Sequence, residues 1–75
     1  MINKNSVRKI REELGYSQGQ LAKVTGVAQG TISRYETGAE PCGYTYVRQL
    51  AEGTGIDLVI SVNRNGTAEV SIPYM

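Results

Sequence analysis

Apolar residues recur at helical spacing along most of the chain and at a period of two near its end. Val7, Ile10 and Leu14 fall at i, i+3 and i+7, which predicts a helix starting at Asn5 or Ser6, running to Leu14 and stopped by Gly15. Leu21, Ala22 and Val24 make the stripe of a second helix, and Ser17 with Gln20 three residues later forms the capping box that opens it. Gly26 supplies the left-handed or tight backbone of a turn, and Val27 plugs the angle beyond it. Ile32 and Tyr35 form the inward face of a third helix, ended by Gly38. After Pro41, the residues Tyr46, Val47, Leu50 and Ala51 predict a fourth, with Gly53 and Gly55 marking its exit and Ile56 folding back as the last core residue.

The period then changes. Leu58, Ile60 and Val62 alternate with Val59, Ser61 and Asn63; the tetrapeptide Asn63-Arg64-Asn65-Gly66 reads as a turn; Ala68, Val70 and Ile72 alternate with Glu69 and Ser71. Alternation on both sides of an Asn-Gly turn predicts a β-hairpin. Its first strand is apolar on both faces, more than a two-stranded ribbon would leave in water. The expected division is therefore a helical domain over residues 1–56 and a dimerising hairpin over 57–75. Leu58, Val59, Ile60, Val62, Val70 and Ile72 would pair with a second copy, or the strand edge would take a strand from another protein. Val7, Ile10, Leu14, Leu21, Val27, Ile32, Val47, Leu50 and Ile56 would form the helical core without the hairpin. The rival arrangement packs the hairpin on its own subunit.

The second and third helices, joined by so short a turn, must cross steeply, as in units that read the DNA major groove. The outer face of the third carries Gln29, Thr31, Ser33 and Arg34. Gln29 has the bidentate donor and acceptor pair that fits adenine, Arg34 the paired donors that fit guanine, and Thr31 a methyl for thymine. Gly30 offers no side chain, so the backbone approaches DNA there or the position reads nothing. Ser17 and Gln18 sit at a helix amino end, where phosphate is bound.

In order along the chain, Ser17-Gln18, Leu21-Ala22, Gly26-Val27 and the run from Ile32 to Gly38 resemble the Cro/C1-type helix-turn-helix family, the XRE family, over residues 6 to 56. The resemblance implies a mainly α fold, a lambda-repressor-like bundle of about four helices to which this chain adds a C-terminal β-hairpin, and binding to double-stranded DNA. It also implies an ion pair between Arg11 on the first helix and Glu36 on the third, a phosphate contact being the alternative role of Arg11. Two positions depart from the family pattern. Ala28 stands where a capping Ser or Thr is usual, which gives up about 1 kcal/mol, and Gly30 stands where a polar side chain is common. The run from Ala51-Glu52 to Gly55 into an apolar strand is similar to HigA-like and HipB-like antitoxins, so a toxin protein is a second candidate partner. One recognition helix reads few base pairs, and a homodimer on a pseudo-palindrome would double the site.

Composition narrows the field. Seventy-five residues allow one domain with a small core, which favours oligomerisation. A single cysteine, Cys42, excludes an internal disulfide and is expected in a loop; without histidine there is no usual zinc set. No apolar run approaches the roughly 20 residues of a membrane span, and the N-terminus lacks a signal-peptide apolar region. The expected location is cytoplasmic. The net charge of +1 conceals an asymmetry: residues 1–36 hold six basic against three acidic side chains, the remainder two against four. The first part suits phosphate, the second protein or solvent. No nucleophile with a base, phosphate loop or metal set is present, so neither catalysis nor a cofactor is expected. An RNA binder is disfavoured because Tyr44 and Tyr46 alone make no stacking platform, Tyr46 belonging to the helical stripe.

Overall fold

The computed structural model describes residues 1–73. Four helices, α1 (Lys4–Glu13), α2 (Gln18–Thr25), α3 (Gln29–Thr37) and α4 (Tyr44–Thr54), precede an antiparallel hairpin of β1 (Val59–Val62) and β2 (Ala68–Ser71). Helix α1 begins one or two residues before the expected start at Asn5 or Ser6. Asn3 caps it, the side-chain carbonyl accepting from the Asn5 amide at 2.8 Å. At α2 the Ser17–Gln20 capping box is closed from both sides. Gly26 and Gly38 take left-handed conformations at the ends of α2 and α3, with φ of 76° and 84°, where a Cβ would be strained.

Ile32, Leu21, Leu50, Val7 and Tyr46 lie at the centre of the core. Leu14 and Ile56 are only partly buried and pack against it from outside. Val24 departs from the stripe predicted for α2 and is 40 % exposed. The contact at that point belongs to backbone instead. Gly53 lies so close to α2 that a Cβ there would sit 2.5 Å from the Val24 carbonyl oxygen and 2.9 Å from the Thr25 Cα. Gly53 is thus inside α4, and its missing side chain lets the two helices approach.

The hairpin is built into this core. Along β2, Ala68 and Val70 are buried while Glu69 and Ser71 are exposed, and Ile72 just beyond is buried again. The buried row packs on α1, where the Ser6 hydroxyl accepts from the Val70 amide at 3.2 Å. Residues ahead of α1 complete the join. The Asn3 amide donates to the Ala68 carbonyl at 2.7 Å, the Ala68 amide to the Met1 carbonyl at 2.9 Å, and the Ile2 amide to the Cys42 carbonyl at 3.0 Å. Cys42 lies in the loop between α3 and α4, as expected, and its side chain is part of the core, 2 % exposed. One edge of the hairpin is covered by the N-terminal residues, and β1 lies on the other edge.

Val70 and Ile72, expected at a dimer interface, are enclosed by their own chain because the apolar face of β2 meets that of α1. Leu58 packs partly against the same core. Val59, Ile60 and Val62 remain exposed, Val62 at 70 %. Ile60 and Val62 lie opposite Val70 and Ala68, on the inner face of the sheet but at its overhanging strand. The turn also differs in type from a two-residue Asn-Gly loop. The Asn63 amide donates to the Thr67 carbonyl at 2.7 Å, leaving Arg64, Asn65 and Gly66 as a three-residue loop in which Gly66 alone has positive φ.

Candidate nucleic-acid interface

The reading unit is α2, the turn at Gly26-Val27 and α3. Thr25 organises the turn from inside: its hydroxyl donates to the Leu21 carbonyl at 2.7 Å and accepts from the Val27 amide at 3.2 Å. Val27 and Ile32 are buried beneath, which fixes the angle at which α3 leaves the turn. Ala28 adopts the extended conformation of a cap without a side-chain bond. The first amides of α3 are consequently left to solvent or to a ligand.

The expected contact residues are brought onto one side. Gln29, Gly30 and Arg34 are exposed, and Thr31 and Ser33 are half-buried at the margins of the same face. The Gln29 amide group lies over Gly19 at the start of α2, where a Cβ would stand 3.5 Å from its Oε1. Ser17 uses its hydroxyl as the α2 cap. Gln18 donates through Nε2 to Glu36 Oε1 at 3.2 Å, which orients this half-buried side chain from within. Arg34 is held in place as well: Nε donates to Glu40 Oε1 at 3.1 Å and Nη2 to Thr31 Oγ1 at 3.1 Å.

Behind this face runs a buried polar network. Arg11 donates from Nε to Glu36 Oε2 at 2.7 Å and from Nη2 to Oε1 at 2.9 Å, with Nη1 on the Tyr16 carbonyl at 2.9 Å. The bidentate fork has almost no water around it, the Glu36 side chain being 4 % exposed. The hydrogen bond to Glu36 raises the Arg11 pKa against the opposing effect of burial, so the guanidinium stays charged. At the far end of α3, Lys4 donates from Nζ to the Thr37 carbonyl at 3.3 Å, placing a cation on the negative end of the helix.

Two residues around the interface carry no motif signal. Glu40 reaches Arg34 from the loop after α3, and burial followed by the Glu40 charge raises the pKa of Tyr35. Gly53 sets the approach of α4 to the end of α2. A partner six residues away across a helix terminus and a backbone contact between distant helices both lie outside local periodicity. Exposed pairs such as Arg8–Glu12 and Arg48–Glu52 on α1 and α4 are solvated i, i+4 contacts of little energetic weight.

Comparison with known proteins agrees with this geometry. The helix-turn-helix family pattern matches residues 7–60, which takes in α1 from Val7 onward, the other three helices and the start of β1. Antitoxin HipB of Escherichia coli O6:H1 strain CFT073 is 24 % identical over 67 residues, covering 89 % of this chain and 71 % of the relative. Antitoxin HipB of Escherichia coli strain K12 is 25 % identical over 65 residues, covering 87 % and 74 %. No solved structure matches significantly. With the motif in order, its turn glycine left-handed and its third helix presenting a polar face, the chain belongs to the Cro/C1-type helix-turn-helix family of DNA-binding proteins.

Proposed function

We propose that the chain is a sequence-specific transcriptional repressor that binds a pseudo-palindromic operator as a homodimer in the cytoplasm, without catalytic activity or a cofactor. The observation that carries this reading is the outer face of α3. Gln29, Thr31, Ser33 and Arg34 stand together on an uncovered helix whose rear is tied to α1 by the Arg11–Glu36 fork. Gln29 reads adenine and Arg34 guanine, while Ser17 and Gln18 settle the amino end of α2 against phosphate. Two copies place their α3 helices in successive major grooves about 34 Å apart. The second copy joins along the open edge of β1, where Val59, Ile60 and Val62 are exposed.

Selection from a randomised duplex pool, followed by sedimentation of the complex, tests the reading. A symmetric preferred site bound by two chains is expected. A single chain on an asymmetric site, or selection of no site at all, would overturn it.

A second reading, antitoxin, is favoured by the two relatives of that name and by the same uncovered strand. In it, the chain represses its own operon and also binds a toxin protein. A neighbouring gene whose product co-purifies with the full chain, and whose toxicity the chain suppresses, separates this from a solitary repressor.

A further inference from the structure

We propose that Glu40 is a specificity-determining positioning residue, which holds the Arg34 guanidinium by one edge and so presents its remaining donors to a guanine while weakening its attraction to phosphate. The proposal rests on the reading of α3 as the base-contacting helix.

An unrestrained arginine on a DNA-facing surface pairs readily with phosphate, because that attraction is strong and independent of sequence. Reading a base requires the planar fork to stand in one orientation. Two partners impose it here. Glu40 Oε1 takes the Nε proton and Thr31 Oγ1 takes one from Nη2. Of the five guanidinium N–H groups this leaves three, both on Nη1 and one on Nη2, enough for the parallel pair that guanine O6 and N7 accept. Nη1 lies beside Gly30, where a Cβ would come into van der Waals contact with it at 3.5 Å, so the missing side chain leaves that flank of Nη1 uncovered.

The carboxylate itself is placed by backbone. The Glu40 amide donates to the Arg34 carbonyl at 3.2 Å just after the left-handed Gly38, Pro41 follows with its fixed φ, and the Cys42 carbonyl is anchored to Ile2. Glu40 thus reaches Arg34 from a loop fixed at both ends. The pair is 52 % and 42 % exposed, so it adds little to the stability of the fold. Its effect on recognition is larger, because a negative charge facing the duplex opposes every sequence-independent contact, and the held fork favours one base edge.

The test compares the wild-type chain with Glu40→Gln, Arg34→Ala and the double variant. The probes are the duplex that the wild type selects from a randomised pool, the same duplex with its Arg34-dependent G·C pair changed to A·T, and calf-thymus DNA. Glu40→Gln is expected to leave the circular dichroism unchanged and to cut discrimination at that base pair about three- to tenfold. It should also tighten binding to calf-thymus DNA and steepen the salt dependence by about one phosphate contact. In the presence of Arg34→Ala, Glu40→Gln should no longer alter discrimination. In the free protein, the Arg34 Nε–H proton should exchange more slowly with water in the wild type than in Glu40→Gln. Equal exchange, unchanged discrimination, or the same loss with and without Arg34→Ala would overturn the proposal alone. A wild-type chain that selects no duplex would overturn the reading of α3 and this proposal with it.

Discussion

Glu36, near the end of α3, accepts both hydrogen bonds of the Arg11 fork from α1, at 2.7 and 2.9 Å, and so fastens the recognition helix to a residue 25 positions earlier. Gln18 joins the same carboxylate from α2, so one buried anion connects the three helices on which the interface depends. Removing one partner leaves an uncompensated charge away from water. Arg11→Ala and Glu36→Ala should each lower unfolding stability by about 3 kcal/mol, read from urea denaturation. Replacing both residues with apolar ones of similar volume should recover most of the loss.

Gly53 makes a prediction against intrinsic propensity. Alanine stabilises a helix interior by about 1 kcal/mol relative to glycine, yet Gly53→Ala would drive a Cβ into the backbone of Val24 and Thr25. Neither atom can swing aside. A net loss of about 1–3 kcal/mol is expected from overpacking, together with weaker DNA binding as the end of α2 shifts. Gly30→Ala, which meets only the end of a flexible arginine, should be neutral or gain less than about 1 kcal/mol in stability.

Cutting the chain after Ile56 should unfold it. Ala68, Val70 and Ile72 cover α1, and their loss would uncover Ile2, Val7 and Ile10 while freeing the backbone bonds to Met1 and Asn3. Circular dichroism of the truncated chain should show lost helix, and light scattering should show no folded monomer. A helical monomer would restore the hairpin to the separate dimerising element that its alternation first suggests.

The two strands should respond differently to charge. Val70→Asp, in the core, should prevent folding, whereas Val62→Lys, on the exposed overhang of β1, should keep the melting temperature within a few degrees. If β1 joins two copies, Val62→Lys should also shift sedimentation toward the monomer.

Burial pushes the Cys42 thiol from its ordinary 9.0 up to about 11. The folded state therefore keeps its proton where the unfolded chain has released it. The corresponding stability is complete below pH 9 and is lost as pH rises toward about 11. Tyr46, raised mainly by burial, acts in the same direction at higher pH. Chemical denaturation across this alkaline range should show the decline, reduced in Cys42→Ala. At neutral pH the folded chain should resist thiol reagents until it unfolds.

Local signals were sufficient for much of this molecule. Capping residues, turn glycines and the 3.6-residue period involve neighbours a few positions apart, so the four helices, the Ser17–Gln20 box and the left-handed turn at Gly26 could be read before any fold was known. The polar face of α3 was legible for the same reason, and the partnership of Arg11 with Glu36 came through family resemblance. Period two located the hairpin but could not say what its apolar face meets. That depended on α1 presenting Val7 and Ile10 to Val70 and Ile72, and on Met1, Ile2 and Asn3 bridging Ala68 to Cys42. Close packing likewise gave Gly53 its meaning, since its position against Val24 reflects the distance between helix axes. Glu40 has no pattern of its own; the path of the chain after Gly38 is what brings its carboxylate to Arg34.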